Sequence, residues 1–149
     1  MMARHARPGR LDWIGLRAAR YDPVYVTQSA EITDAGLSGD HGRAGKRAVT
    51  LIQAEHLPVI AAFSNHAEIE PEVLRLNLVL SGLNLLALRK GLLKIGDVVL
   101  EIHGPCPPCS RMEKELGPGG YNAMRGHGGW YASVAMPGRI KVGDIVAPA

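Results

Sequence analysis

Seven short runs of branched and aromatic residues, each cut off by glycine, proline or another turn former, constrain this chain more than any other feature. They cover residues 11–17, 24–27, 48–52, 76–80, 97–103, 130–134 and 140–146. Runs of this length and composition read as β-strands. With 18 Gly and 10 Pro among 149 residues, turns are frequent and elements stay short. Many short strands leave unpaired edges unless the sheet closes on itself. The expected fold is therefore mainly β, a closed or nearly closed β-barrel of short strands with a few short helices. A chain of this length hides about 68 to 70% of its unfolded surface, enough for a core without disulfides or a structural metal.

The helical signals are few. Leu57, Ile60, Ala61 and Phe63 share helical spacing within 53–63, with Pro58 in the second turn obscuring the start. Ser110 and Glu113 have the spacing of a capping box, and Gly117-Pro118 would end that helix. A further turn can begin at Pro71, whose missing amide proton costs nothing there. The segment Gly91-Leu92-Leu93-Lys94-Ile95-Gly96-Asp97-Val98-Val99 is nearly repeated at 138–146, and both copies read as strand, Gly-Asp turn, strand. Their aspartates are expected to bond turn amides rather than to do chemistry.

Charge and hydropathy exclude several classes of function. Seventeen Lys and Arg against 14 Asp and Glu leave only +3, and the aromatics number seven, too few for a stacking platform on nucleic acid. No run reaches the roughly 20 apolar residues of a membrane span. Residues 1–10 read as a basic, flexible N-terminus, and 11–149 as a single domain. Arg4, Arg7, Arg10, Arg17 and Arg20 suggest a transit peptide, but the first twenty residues contain no hydroxyl side chain. Two cysteines without an export signal are expected to be free thiols in the cytoplasm.

The segment His103-Gly104-Pro105-Cys106-Pro107-Pro108-Cys109-Ser110 is the sharpest local feature. It places Cys109 just before a helix start, where free amides favour a thiolate that is both nucleophile and soft-metal ligand. Cys106, between prolines, can be a neighbour, a redox partner or packing. A thioredoxin-like centre would need the first cysteine at the helix start. A zinc site would need more than one Cys pair with scattered His41, His103 or His127. The remaining chemistry is a single thiolate on a metal carried by an organic cofactor, with cations gripping the cofactor's anionic groups. Arg75 and Asn77 would lie on one face of a strand from 76 to 80, and the loop 39–47 offers His41, Lys46 and Arg47, with Asp40 as a turn former. The glycine-rich stretch 126–131 reads as a hairpin link or a lid over the site.

In serial order, Trp13-Ile14-Gly15-Leu16-Arg17, Gly36 through His41, Arg47 through Ile52, Arg75-Leu76-Asn77-Leu78, Lys94 through Asp97, Pro105 through Cys109 and Pro137 through Asp144 resemble the MOSC domain, named for the C-terminal part of molybdenum cofactor sulfurase. The resemblance implies a strand-rich barrel whose cysteine, here Cys109, ligates molybdenum in the pterin cofactor (molybdopterin) or carries sulfur as a persulfide. Arg75 and Asn77 match the family's Arg-x-Asn element, with Leu76 where glutamate is common. Arg17, His41, Lys46 and Arg47 are assigned to the cofactor from charge and place. The implied activity is a molybdenum-dependent reductase of N-hydroxylated compounds, independent of pyridoxal phosphate. It would act on a small-molecule substrate with electrons from a separate redox partner protein. The alternatives are a non-enzymatic sulfur carrier or cofactor-delivery module, and a purely structural barrel.

Overall fold

The computed structural model describes Met1 and residues 3–149; Met2, within the basic stretch 1–10, lies outside the described residues. Among the described residues eleven strands form: β1 (Gly9–Leu16), β2 (Tyr25–Thr27), β3 (Ser29–Thr33), β4 (Gly36–Leu37), β5 (Val49–Gln53), β6 (Leu78–Ser81), β7 (Leu92–Ile95), β8 (Val98–Pro105), β9 (Trp130–Met136), β10 (Gly138–Lys141) and β11 (Ile145–Pro148). Short helices accompany them: α1 (Leu57–Phe63), α2 (Pro71–Leu74), α3 (Ser110–Leu116) and α4 (Gly120–Met124), with 3₁₀ turns at Ala54–His56 and Leu85–Leu88. Among the described residues no helix is long and apolar enough to cross a membrane.

Seven strands close the barrel in the order β11-β7-β8-β9-β5-β6-β1, and Gly9 and Arg10 of β1 pair with Val146 and Ile145 of β11 to complete the ring. β2 continues that edge of β1 beyond the closure, from Ile14 to Leu16. All pairings are antiparallel except β5 with β6. A parallel pair cannot be joined by a tight hairpin, so the chain spends residues 54–77 on a crossover that contains α1 and α2. Leu78 and Leu80 of β6 fill the barrel, while Val79 between them faces out under the helices. Both faces of this strand are thus covered, which is why it reads as an unbroken apolar run. A bulge between Leu11 and Trp13 shifts the alternation of β1, so Leu11 and Ile14 both enter the barrel and Trp13 joins the helical layer.

The near-repeat has two outcomes. β7 and β8 form the expected hairpin, whereas the expected strand 140–146 is broken. Gly143 has φ +98° and the Asp144 carboxylate accepts the Lys141 amide at 2.9 Å, so the chain turns and β10 and β11 join different sheets, with β3 and with β7 respectively.

The capping box is also corrected. Cys109 is the N-cap of α3 and makes no side-chain cap bond, and Glu113 accepts instead from the amides of Gly119 and Tyr121, at 3.1 and 3.0 Å, at the start of α4. These two bonds hold the Glu113 carboxyl below the usual carboxylate range. The linkage sign follows: a depressed carboxyl stabilises above its unfolded pKa of 4.5 and that support disappears as pH falls through its lower folded value. Protection of the Gly119 and Tyr121 amides, their exchange rate relative to the intrinsic rate at each pH, should fall on acidification in the wild type. In Glu113→Gln it should be lower already at neutral pH and independent of acid, and a wild-type protection profile flat through that window would exclude the cap.

Candidate functional site

The chain leaves β1 at Leu16 and is immediately clipped to the loop after β4. The Arg17 amide donates to Asp40 Oδ1 at 2.8 Å, and the Arg17 carbonyl accepts the His41 amide at 2.7 Å. Asp40 Oδ2 accepts the Gly42 amide at 3.1 Å, so the side chain shapes the turn, as its type suggests. Beyond this clip the segment 17–22 is bent by two guanidinium groups. Arg17 Nη1 donates to the Arg20 carbonyl at 3.0 Å, and Arg75 Nη2 donates to the carbonyls of Arg20 and Asp22.

These contacts shape one wall of a cleft of about 950 Å³. The opposite wall is the start of α3, where Cys109 is exposed and Ser110, Arg111, Glu113 and Lys114 follow. Arg20 and Arg111 lie 5.3 and 5.6 Å from the centroid of the Tyr21 ring, joining the two walls through cation–π contacts. Arg47 completes the lining and rests 4.6 Å over the ring of Tyr131 on β9. That ring crosses β8 at Gly104, where a Cβ would come within 2.8 Å of the phenolic oxygen. Glycine there is a requirement of the close approach.

Five permanent cations, Arg17, Arg20, Arg47, Arg111 and Lys114, line the cleft against one carboxylate, Glu113, which is already committed to α4. Arg17 is the cation whose ionisation is most affected by its surroundings. Burial foremost, then the neighbouring guanidinium of Arg75, pushes its pKa below the ordinary arginine value; Asp40 pulls the other way and Arg111 adds to the depression. Arginine remains protonated at neutral pH even so, and the cleft keeps its positive potential. Cys106 has a different environment. Burial pushes its thiol up to about 12, with Arg47 opposing, and its amide donates to the Gly129 carbonyl at 2.9 Å.

The structure therefore gathers Cys109, Arg17, His41 and Arg47, all expected from sequence, around one cavity. Three other expected residues do not line it. Lys46 sits exposed in the loop before β5. Arg75 is the left-handed C-cap of α2, with φ +61°, rather than part of β6, and it acts on the cleft from behind by bracing the 20–22 backbone. Asn77 is buried just before β6, and its amide is used within the barrel wall. Its Oδ1 accepts from the Thr50 amide and hydroxyl at 3.1 and 3.2 Å, and its Nδ2 donates to the Gly15 carbonyl at 3.2 Å.

Arg20, Tyr21, Arg111 and Lys114 were not singled out by sequence. For Arg111 and Lys114 a signal existed, since positions three apart in the helix after Cys109 share a face. For Arg20 and Tyr21 none did, because only the turn fixed by Arg17 and Arg75 carries them to α3. A second, smaller cavity of about 430 Å³ lies by the near-repeat turns, between Ser29, Asp97, Arg139 and Asp144. Its Arg139 is already held by Glu31 and Ser29, and no thiol reaches it. Among the described residues no three His, Cys, Asp or Glu side chains converge as a metal cage.

A family model described as MOSC domain matches residues 38–147. No curated protein matches the chain. Among solved structures, the YuaD protein from Bacillus subtilis superposes with a TM-score of 0.82 at 17% identity, covering 94% of each chain. YiiM from Escherichia coli superposes with a TM-score of 0.73 at 20% identity, over 94% of this chain and 69% of that one. YiiM from Geobacillus stearothermophilus gives 0.78 at 15% identity, over 95% and 75%. At these identities the likeness is one of fold.

Proposed function

Because the chain belongs to the MOSC domain family, whose members in general bind the molybdenum cofactor, we propose that it binds this cofactor with Cys109 as the molybdenum ligand and serves as the reductase component for an N-hydroxylated small molecule. The observation that carries this reading is an exposed cysteine opening onto a cleft of five cations. The donor set fits the group. A thiolate suits a soft metal, and guanidinium forks suit the phosphate of a pterin cofactor.

When bound, the cofactor supplies oxygen-atom transfer coupled to a two-electron redox change. The chain's own residues do the rest. Cys109 offers its exposed sulfur to the cleft from the N-cap of α3. Arg17 and Arg47 hold the anionic end, and the Asp40 turn fixes the backbone of Arg17, so the guanidinium starts from a rigid base. His41 Nδ1 lies 3.2 Å from the Arg17 carbonyl at the cleft wall, which ties the imidazole to the same turn. Reducing equivalents come from a separate redox partner protein.

The test is metal and pterin analysis of protein purified from a cofactor-producing host. Wild type should carry molybdenum approaching one atom per chain, and Cys109→Ala should lose it by at least about tenfold while keeping the fold, since the sulfur is the only covalent tie. Absence of both molybdenum and pterin from the wild type would overturn the proposal. Cyanide-releasable sulfur on Cys109 without molybdenum would assign the chain to sulfur transfer instead.

A further inference from the structure

Arg47 differs from Arg17 and Arg111 in what holds it. Arg17 donates to the Arg20 carbonyl, and Arg111 Nε lies 3.3 Å from the Glu115 carboxylate. Arg47 is exposed at the end of the loop 39–47, and its side chain has no hydrogen bond and no ion pair among the described residues. What it touches is the Tyr131 ring, whose centroid lies 4.6 Å from the guanidinium carbon. A long exposed side chain surrenders rotamer freedom when it grips an anion, and a contact that fixes it beforehand removes that cost from binding. A neutral ring does so without cancelling the charge, as a carboxylate would.

The ring is itself built into place. A bulge in β8 between Ile102 and Gly104 puts Gly104, rather than His103, opposite Tyr131 of β9. A Cβ at 104 would lie 2.8 Å from the phenolic oxygen and 3.1 Å from Cζ, so the ring occupies the space that any other side chain would need. The extra residue of the bulge, His103, stacks beside the ring with the two planes 20° apart and the centroids 6.5 Å apart. His103 Nε2 in turn lies 2.7 Å from Ser133 Oγ on the same strand as Tyr131. We infer that Tyr131 is the positioning residue for Arg47: seated on Gly104 and flanked by His103, it holds the guanidinium at the cleft wall before the anionic group arrives. The inference rests on the cofactor reading only for what Arg47 grips.

The experiment uses the full chain purified with its cofactor and takes two readouts: the order of the Arg47 side chain, from nitrogen relaxation at its Nε–H, and the rate of pterin release after dilution. Tyr131→Leu should lower the Arg47 order parameter toward that of Arg43, an exposed arginine of the same loop. It should also speed release by about two- to fivefold, the worth of a cation–π contact at an exposed site. Tyr131→Phe, which keeps the ring, should match the wild type in both. In an Arg47→Ala background the change at 131 should no longer alter release, whereas a residue that only supports the barrel would have the same effect in both backgrounds. Gly104→Ala displaces the ring without removing it and should reproduce both effects of Tyr131→Leu, which keeps the comparison available if that variant does not fold. An Arg47 side chain equally ordered with and without the ring would overturn the assignment, as would equal effects in the two backgrounds. If the wild type carries no cofactor, the cofactor reading fails, and the order of Arg47 alone decides whether Tyr131 positions it.

Discussion

At pH 8, a thiol-alkylating reagent should label the native chain once, at Cys109, and leave Cys106 unmodified until the protein is denatured. Cys109 is exposed at the cleft, whereas Cys106 is half-buried between prolines with its thiol pushed up to about 12 from 9.0. Only the thiolate reacts. At pH 8 a group titrating near 12 is ionised in about one molecule in ten thousand, against about one in ten for the same thiol at its unfolded value of 9.0, so Cys106 gains about a thousandfold in rate on denaturation before access is counted. Mass spectrometry of the labelled sites checks this, and two native equivalents appearing at matched rates would exclude it. The same shift gives a stability prediction. The unfolded chain releases the Cys106 proton near 9.0 while the folded one retains it to about 12, so the folded state binds more protons across that window. Stability from this group is complete below 9.0 and is lost as pH rises, with a limiting slope of about 1.4 kcal/mol per pH unit. The alkaline slope of the wild type should exceed that of Cys106→Ala, whatever the packing loss in the variant.

Asn77→Leu should cost about 3 to 5 kcal/mol of folding stability. One amide joins three strands here: it accepts the Thr50 amide and hydroxyl on β5 and donates to the Gly15 carbonyl on β1, while the Asn77 backbone sits at the head of β6. Removing it leaves a buried N–H and a buried C=O without partners, at about 1 to 3 kcal/mol each, and leaves the Thr50 hydroxyl with a weakened network. At an m-value of about 2 kcal/mol/M the urea midpoint should fall by about 1.5 to 2.5 M. A shift below about 0.5 M would exclude this role. Molybdenum retention measured on the folded fraction separates the residue's two readings. A barrel stitch leaves the affinity of the folded protein intact, whereas a direct cofactor contact lowers it.

Asn77 shows where sequence reasoning stops. Its type and its spacing from Arg75 suit a polar ligand, and nothing within 75–80 says that Thr50, 27 residues earlier, will meet it. Parallel pairing of β5 with β6 creates that meeting, and the pairing exists only because a helical crossover turns the chain around. Arg75 has the same history. Treated as part of the strand it faces a ligand, but as the left-handed cap of α2 it aims its guanidinium at the 20–22 backbone. Glu113 also went to a partner further along the chain, because the packing of α3 on α4 offers two free amides better placed than its own N-cap.

By itself the sequence determined what depends on neighbours within a turn or two: the strand-rich barrel, the Gly-Asp turns, Asp40 as a turn former, and Cys109 at the head of a helix. Backbone preferences, alternation and proline rigidity act over that range, so they are written locally. Tertiary structure alone decided which cations meet the sulfur. Arg17, Arg20, Arg47 and Arg111 come from three separate stretches of chain, and their convergence is set by barrel closure and by the bend after β1. Electrostatic potential sums over distance in space, not along the sequence, and the charge of this cleft exists only once the barrel has closed.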